Sequence, residues 1–321
     1  MATELAKIFP ARLRDKLSRI DFIQEGYTEL RFRCNGPVIL LKGREEFFLH
    51  SNGGVQKSTE GTYCISVNEI REMMEYISNY SSYAYEDELR QGFLTIQGGH
   101  RVGVCGKVVL SEGKIKTIRN ISFLNIRLAR EKKGCADRVL PYLFERDRLC
   151  HTLIVSPPGC GKTTLLRDLI RQISNGNTGK EAEKSSEEAR KLERKPWLRG
   201  RKVGVIDERS ELAACYYGIP QNDLGLRTDV LDGCPKVLGI ELLLRSMSPE
   251  VIAVDELGGE RDIELIKRSI YCGCTILATA HGEKNGIPAD LFERYIFLKP
   301  GGRPGEVEAI CDARGQEVWH P

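Results

Sequence analysis

A chain of 321 residues is long enough for two domains. Its 48 Lys and Arg against 45 Asp and Glu leave a net charge of +3, too small to argue for a nucleic-acid surface or an acidic partner; 29% charged and 41% hydrophobic residues are the balance of an ordinary soluble protein. No apolar run approaches the roughly 20 residues of a membrane span, and the opening MATELAKIFPARLRDKL lacks a signal-peptide core, so a cytoplasmic protein is expected.

The first half, residues 1–148, mixes short strands with helices. Residues 28–32, 38–41 and 46–49 read as strands. Ser66-Val67-Asn68-Glu69 is a capping box that opens a helix with Ile70, Met73, Met74 and Ile77 on its apolar face. Residues 93–96, 101–104 and 107–110 read as strands again, with turns at Gly98-Gly99 and at Ser111-Glu112-Gly113. An α+β domain with an antiparallel sheet is expected.

From residue 149 to 321 the pattern is α/β. Apolar runs at 153–155, 203–206, 251–254, 275–279 and 295–298 are mostly separated by helical stretches, which predicts a parallel sheet covered on both faces. Any ligand should sit at the carboxyl ends of those strands. Residues 177–202 interrupt the pattern. Nine positive and five negative residues between Lys180 and Lys202 read as a solvated insertion, ahead of a nucleic-acid or lipid-headgroup contact. Ser185 with Glu188 would cap a short helix there, stopped by Pro196.

Residues 152–173, TLIVSPPGCGKTTLLRDLIRQI, carry the chemistry. A buried strand runs into Ser156, Pro157, Pro158, Gly159, Cys160 and Gly161, and Lys162, Thr163 and Thr164 open an amphipathic helix. Glycines let backbone amides approach phosphate oxygens, and the helix adds its positive end. Lys162 is expected on the outer phosphates and Thr163 on Mg²⁺. The one departure from GxxxxGK[ST] is Ser156 in the first glycine position.

Three more strand ends bear on that site. Val251 to Val254 lead into Asp255 and Glu256; the first acid suits Mg²⁺, usually through water, and the second can polarise an attacking water. Val203 to Ile206 lead into Asp207 and Glu208, which would order water or metal, or else form salt bridges with Arg209. Thr279 and His281 close a third strand, as γ-phosphate contact and sensor or, for His281, as a structural residue. Phosphoryl transfer also needs positive charge, often supplied in trans; the candidates are Arg127, Arg130 and Arg245, whose planar forks suit phosphate. No N-K-x-D run is present, which leans toward ATP over GTP.

Eleven cysteines form no C-x-x-C pair, and their odd number favours free thiols. Cys160, beside a helix N-terminus, is the thiol most open to oxidation, although a tolerated small residue is the plainer reading.

The motifs SPPGCGKTTLLRDLIR, VGVIDERSEL, GIPQNDLGLRTDVLDGCPK, RSMSPEVIAVDELG and ATAHG occur in order, after YSSYAYEDELRQGFLTIQGGHRVGVCGK and NIRLAREKKGCAD. From about residue 76 to 282 the chain resembles the stage III sporulation protein AA family of endospore-forming bacteria. That family is similar to type II and type IV secretion ATPases, within the RecA/AAA+-like P-loop NTPases. The resemblance implies a hexameric ATPase, using ATP and Mg²⁺, at the cytoplasmic mother-cell face of a membrane channel to the forespore. Membrane proteins of that channel would be its partners. It also implies an N-terminal domain that packs over the nucleotide of its own or a neighbouring subunit. Gly159, Gly161, Lys162 and Thr163 match the phosphate loop, Asp255 and Glu256 the second nucleotide motif, Asp207 and Glu208 an acidic strand end in reversed order, and Thr279 and His281 the histidine box. The long insertion, the short tail after His281 and Gly259 in place of a common arginine depart from the pattern. Two other classes remain open: a single-stranded nucleic-acid-binding NTPase, disfavoured by the small net charge, and an ATP-dependent assembly scaffold with little turnover.

Overall fold

In the first sheet every second side chain is buried along residues 29–33, 93–96 and 100–104. The computed structural model describes residues 3–81, 85–176, 199–282 and 291–320. The chain divides into two compact units, Met1–Arg130 and Glu131–Pro321. In the first, α1 (Thr3–Ala6) and α2 (Ala11–Leu17) precede β1 (Glu29–Arg33), β2 (Ile39–Lys42), β3 (Glu45–Leu49) and β4 (Val55–Gln56). Then come α3 (Val67–Ile77), α4 (Glu86–Gln91), β5 (Phe93–Ile96), β6 (His100–Ser111) and β7 (Lys114–Arg127). The strands make one antiparallel sheet in the order β4-β3-β2-β1-β7-β6-β5. Leu30, Phe32, Val102, Val104, Leu124 and Ile126 share a core with Ile70, Met73 and Ile77 of α3. The expected capping box is present: Glu69 N–H donates to Ser66 Oγ at 3.2 Å, and Ser66 N–H donates to Glu69 Oε2 at 2.9 Å.

The two strands expected at 101–104 and 107–110 are one, β6, with a bulge between Cys105 and Lys107. Gly106 permits it, since a Cβ there would lie 2.5 Å from the Arg119 carbonyl oxygen. β7 was not foreseen, because its outer half, rich in Lys, Arg and Asn, breaks the apolar alternation. Glu112 and Gly113, both at positive φ (52° and 75°), join β6 to β7 through a two-residue turn.

The second unit holds β8 (Phe144–Glu145), β9 (Arg148–Leu149), β10 (Thr152–Ser156), α5 (Lys162–Asn175), β11 (Val203–Asp207), β12 (Thr228–Asp232) and α6 (Lys236–Ser246). β13 (Val251–Leu257), α7 (Glu260–Tyr271), β14 (Thr275–His281), β15 (Arg294–Leu298), β16 (Val307–Asp312) and β17 (Glu317–Trp319) complete it. β8 and β9 pair only with each other; the main sheet runs β12-β11-β13-β14-β10-β15-β16-β17. Six strands from β12 to β15 are parallel, as expected, and β16 and β17 extend the edge antiparallel. Both faces are covered. Ile154, Val205, Ala253 and Leu277 pack with Leu165, Leu166, Leu169 and Ile173 of α5. Leu153, Val155, Ile206, Val254 and Ile276 pack on the other side with Ile240, Leu243 and Ile266 of α6 and α7. The edge strands β12, β16 and β17 were not foreseen, being short or mixed in polarity.

The division between units falls ahead of the 148/149 boundary expected from the sequence. Ala136, Val139, Leu140, Leu143 and Leu149 belong to the second core, so residues 131–149 fold with the α/β sheet. The expected cap at Ser185 and Glu188 lies outside the described residues. Among the described residues no helix is long and apolar enough to cross a membrane.

Candidate nucleotide-binding site

The order of the sheet marks one place for a ligand. The chain leaves β10 for β11 and β12 at the outer edge, returns through β13 to β14 beside β10, then crosses to β15 on the far side. The strand order therefore reverses at β10, and such a switch point opens a crevice at the carboxyl ends of the strands.

The loop at that end is built to present amides. Pro157 and Pro158 have no N–H, so the donors begin at Gly159. Gly159 and Gly161 adopt positive φ (80° and 90°), which turns successive amides inward. Gly161 has a second constraint: its Cβ would lie 2.3 Å from Gly305 N. No side chain caps α5, so its first amides remain a donor set suited to an anion.

Lys162 is only 6% exposed. Its ammonium donates to the carbonyls of Ser156 (2.9 Å) and Pro157 (3.2 Å), and lies 3.0 Å from His281 Nδ1. Burial lowers its pKa, opposed by Asp255, Cys160 and Glu256. An ammonium accepts no hydrogen bond, so His281 Nδ1 must be the acceptor and Nε2 carries the proton. Nε2 is 2.8 Å from Glu256 Oε1, and the other oxygen of Glu256 meets Arg209 Nη1 at 2.6 Å. A continuous chain thus runs Lys162–His281–Glu256–Arg209. Burial pushes the Glu256 carboxyl up, but the hydrogen bond from His281, with Arg209 and Lys162, outweighs it and holds the group below its ordinary 4.5.

A second network lies beside the first. The Thr163 hydroxyl donates to Asp255 Oδ2 at 2.8 Å. The Thr279 hydroxyl donates to Asp255 Oδ1 and accepts from Glu256 N–H at 2.8 Å. Thr279 is wholly buried, and both bonds of its hydroxyl go to the Asp255-Glu256 pair. A bulge makes the arrangement possible. Val254 pairs with Ala278 and Leu257 with Ala280, so β13 advances three residues against two, and Glu256 takes a φ of 55°.

Asp207 and Glu208 line one recess with Arg209, Glu211, Lys236, Asp255 and Glu256, but the Asp207 carboxylate is turned to backbone amides. Asp207 is 1% exposed, and its carboxylate accepts from the amides of Glu211 (2.8 Å) and Ala213 (2.7 Å). Burial pushes its pKa up in spite of those amides. Glu208 pairs with Lys236. Arg167, which sequence reasoning missed, is a full turn along α5 from Thr163; it donates to the carbonyls of Leu212 (2.8 Å) and Glu211 (2.5 Å). Asp207 and Arg167 together fix the loop that sets Arg209 against Glu256. Only the run Glu208-Arg209-Ser210-Glu211 after an apolar strand hinted at this. Cys160 is buried, with Sγ 4.0 Å from the Pro158 carbonyl. The Thr164 carbonyl lies 3.7 Å from Cys135 Sγ. Arg245 is exposed on α6. Arg127 and Arg130 belong to the first unit, where they meet Glu29 (3.8 Å) and the Tyr27 carbonyl (2.8 Å).

The donor set fits a phosphate chain with a hard divalent cation such as Mg²⁺. Loop amides and an ammonium suit phosphate, and a hydroxyl beside a carboxylate suits a hard cation. Among the described residues no group of three or more His, Cys, Asp and Glu could hold a metal alone. A cation at Thr163 and Asp255 would therefore complete its shell from phosphate oxygens and water.

Comparison with known proteins agrees with this architecture. Residues 2–318 match the family described as sporulation stage III, protein AA. The chain is 37% identical over 324 residues to stage III sporulation protein AA of Bacillus subtilis (strain 168), covering 97% of this chain and 95% of that protein. Its fold is similar to the Yersinia pseudotuberculosis ATPase DotB, with TM-score 0.54 and 13% identity over 97% of this chain and 78% of that one. It is also similar to the pilus retraction motor PilT with bound ADP, with TM-score 0.52 and 15% identity over 90% and 79% of the two chains. At such identities the likeness speaks for the fold alone: an α/β unit with a mostly parallel sheet, preceded by a smaller α+β unit.

Proposed function

The chain belongs to the sporulation stage III protein AA family, and from that premise we propose that it is an ATP-hydrolysing motor of a channel between mother cell and forespore. The observation that carries the reading is the convergence, at one switch point, of the phosphate loop with Asp255, Glu256 and His281. Loop amides and Lys162 bind the phosphates. Thr163 and Asp255 would hold Mg²⁺, which supplies charge neutralisation on the terminal phosphates when bound. Glu256, kept ionised by its neighbours, orients the attacking water and takes its proton; His281, fixed by Lys162, holds Glu256 in place. Arg127 and Arg130 are proposed to add positive charge from the N-terminal unit. Asp207 and Glu208 act through the loop that bears Arg209. The assembly is proposed as a hexamer, peripheral at the membrane on the cytoplasmic mother-cell side, with the channel's membrane proteins as partners.

Purified Lys162→Ala protein is expected to release no phosphate from ATP, and Glu256→Gln to bind ATP with little turnover. A Lys162→Ala variant that turns over ATP at the wild-type rate would sink the reading.

A further inference from the structure

The hydrolytic groups all lie on one side of β10. Asp255, Glu256 and His281 come from β13 and β14, and β10 separates those strands from β15. With its outer end against β14, a triphosphate can run back over the phosphate loop and carry its nucleoside to the β15 side. That side is occupied by the turn joining β15 to β16, residues 299–306, and the turn touches the phosphate loop directly. Gly305 N–H donates to the Cys160 carbonyl at 2.8 Å. The absent side chain of Gly161 is what admits Gly305 so closely.

The turn is rigid by its own bonds. Lys299 N–H donates to the Glu306 carbonyl (2.9 Å), Gly302 N–H to the Lys299 carbonyl (3.2 Å), and Arg303 N–H to Glu306 Oε2 (2.9 Å). It is also tied to the segment just after the division between units, since Lys132 Nζ donates to the Pro304 carbonyl at 2.9 Å. Cys135 Sγ stands 3.8 Å from the position of a Cβ on Gly305. Two segments distant in sequence are thus clasped beside the amides of Gly159 to Gly161. At their rim Arg303 is exposed, and its backbone amide donates to Glu306 Oε2, while Glu306 Oε1 lies 3.6 Å from Lys299 Nζ.

Resting on the nucleotide reading above, we propose that residues 299–306 and 132–135 form the nucleoside end of the site, with the planar guanidinium of Arg303 stacked on the base. A guanidinium stacks on aromatic faces. Stacking reads the face of a base and not its hydrogen-bonding edge, so purine identity matters little to it.

The test is calorimetric titration of the full-length protein with ATP, GTP and inorganic tripolyphosphate, each with Mg²⁺. Arg303→Ala should weaken ATP and GTP alike by about fivefold to tenfold and leave tripolyphosphate unchanged. Arg303→Lys, which keeps the charge but not the plane, should lose nearly as much. Lys132→Met, which removes the tie between the two segments at Pro304, should shift the nucleotides in the same direction. ATP affinity within about twofold of wild type in Arg303→Ala overturns the proposal. So does an equal loss for tripolyphosphate, or full recovery in Arg303→Lys, because either would make Arg303 a phosphate contact. If the wild-type protein binds tripolyphosphate as tightly as ATP, this proposal falls and the phosphate-loop reading stands. If it binds neither, both fall.

Discussion

Thr279→Val isolates the part played by a buried hydroxyl that ties Asp255 to the Glu256 amide. The substitution keeps shape and volume and removes one oxygen. In the protein that oxygen bridges Asp255 Oδ1 and the Glu256 amide, so both acids are held across the bulge by the neighbouring strand. A hydrogen bond to a charged group is worth roughly 1.5–3 kcal/mol, and a donor left unpaired costs about 1–3 kcal/mol. If the first quantity appears in the barrier, turnover falls roughly 10- to 100-fold. If the second appears in stability, the urea midpoint falls as well. Thr279→Ser separates the two chemistries, because it keeps the hydroxyl and loses a methyl worth about 1 kcal/mol. Phosphate release, ATP titration and urea unfolding, run on both variants, read turnover, binding and folding separately. Thr279→Val should lose turnover far more than binding, and Thr279→Ser should keep most of its turnover. Wild-type turnover in Thr279→Val, or an equal loss in both variants, would refute the argument.

Arg209→Ala removes a cation that helps hold Glu256 ionised, so the Glu256 pKa should rise and the acid limb of the pH–rate profile should move to higher pH. An unmoved limb would mean that Glu256 is not the titrating base. His100 and His151 each accept a backbone amide, from Ala129 (3.0 Å) and Ile276 (3.1 Å), and burial lowers both below 6.5. Their contribution is complete above the unfolded value and is lost as pH falls toward the depressed folded values; urea midpoints should drop between pH 7 and pH 5, with a smaller drop in His100→Gln.

The fold was legible where structure is local. An apolar run of four or five residues between loops makes a buried strand in any parallel sheet, and all five predicted runs of the second half lie within strands of the main sheet. The capping box at Ser66 was legible for the same reason, since four consecutive residues complete it. β7 was not, because half of its length is held by pairing with β6 and carries little apolar periodicity of its own. Residues 131–148 fall on the other side of the division from the one the sequence suggests, because an apolar pattern does not say which core it completes. That depends on Asp168, buried in α5, whose carboxylate accepts from the Ala136 amide at 2.8 Å.

The two Asp-Glu pairs show where a sequence stops speaking. β11 ends in Asp207-Glu208 and β13 carries Asp255-Glu256 near its end, each pair after an apolar run. Nothing within either strand distinguishes them. After Asp207 the chain curls back, and the amides of Glu211 and Ala213 close on its carboxylate. After Asp255 it bulges against β14, where Thr279 secures Asp255 and the Glu256 amide, leaving the Glu256 carboxylate to meet His281 and Arg209. One acid thus becomes the anchor of a loop and the other the partner of Thr163 at the start of α5. The choice is made by amides four and six residues downstream in one case and by a neighbouring strand in the other. Arg209 then joins the two outcomes, because the loop anchored by Asp207 is the one that delivers a guanidinium to Glu256.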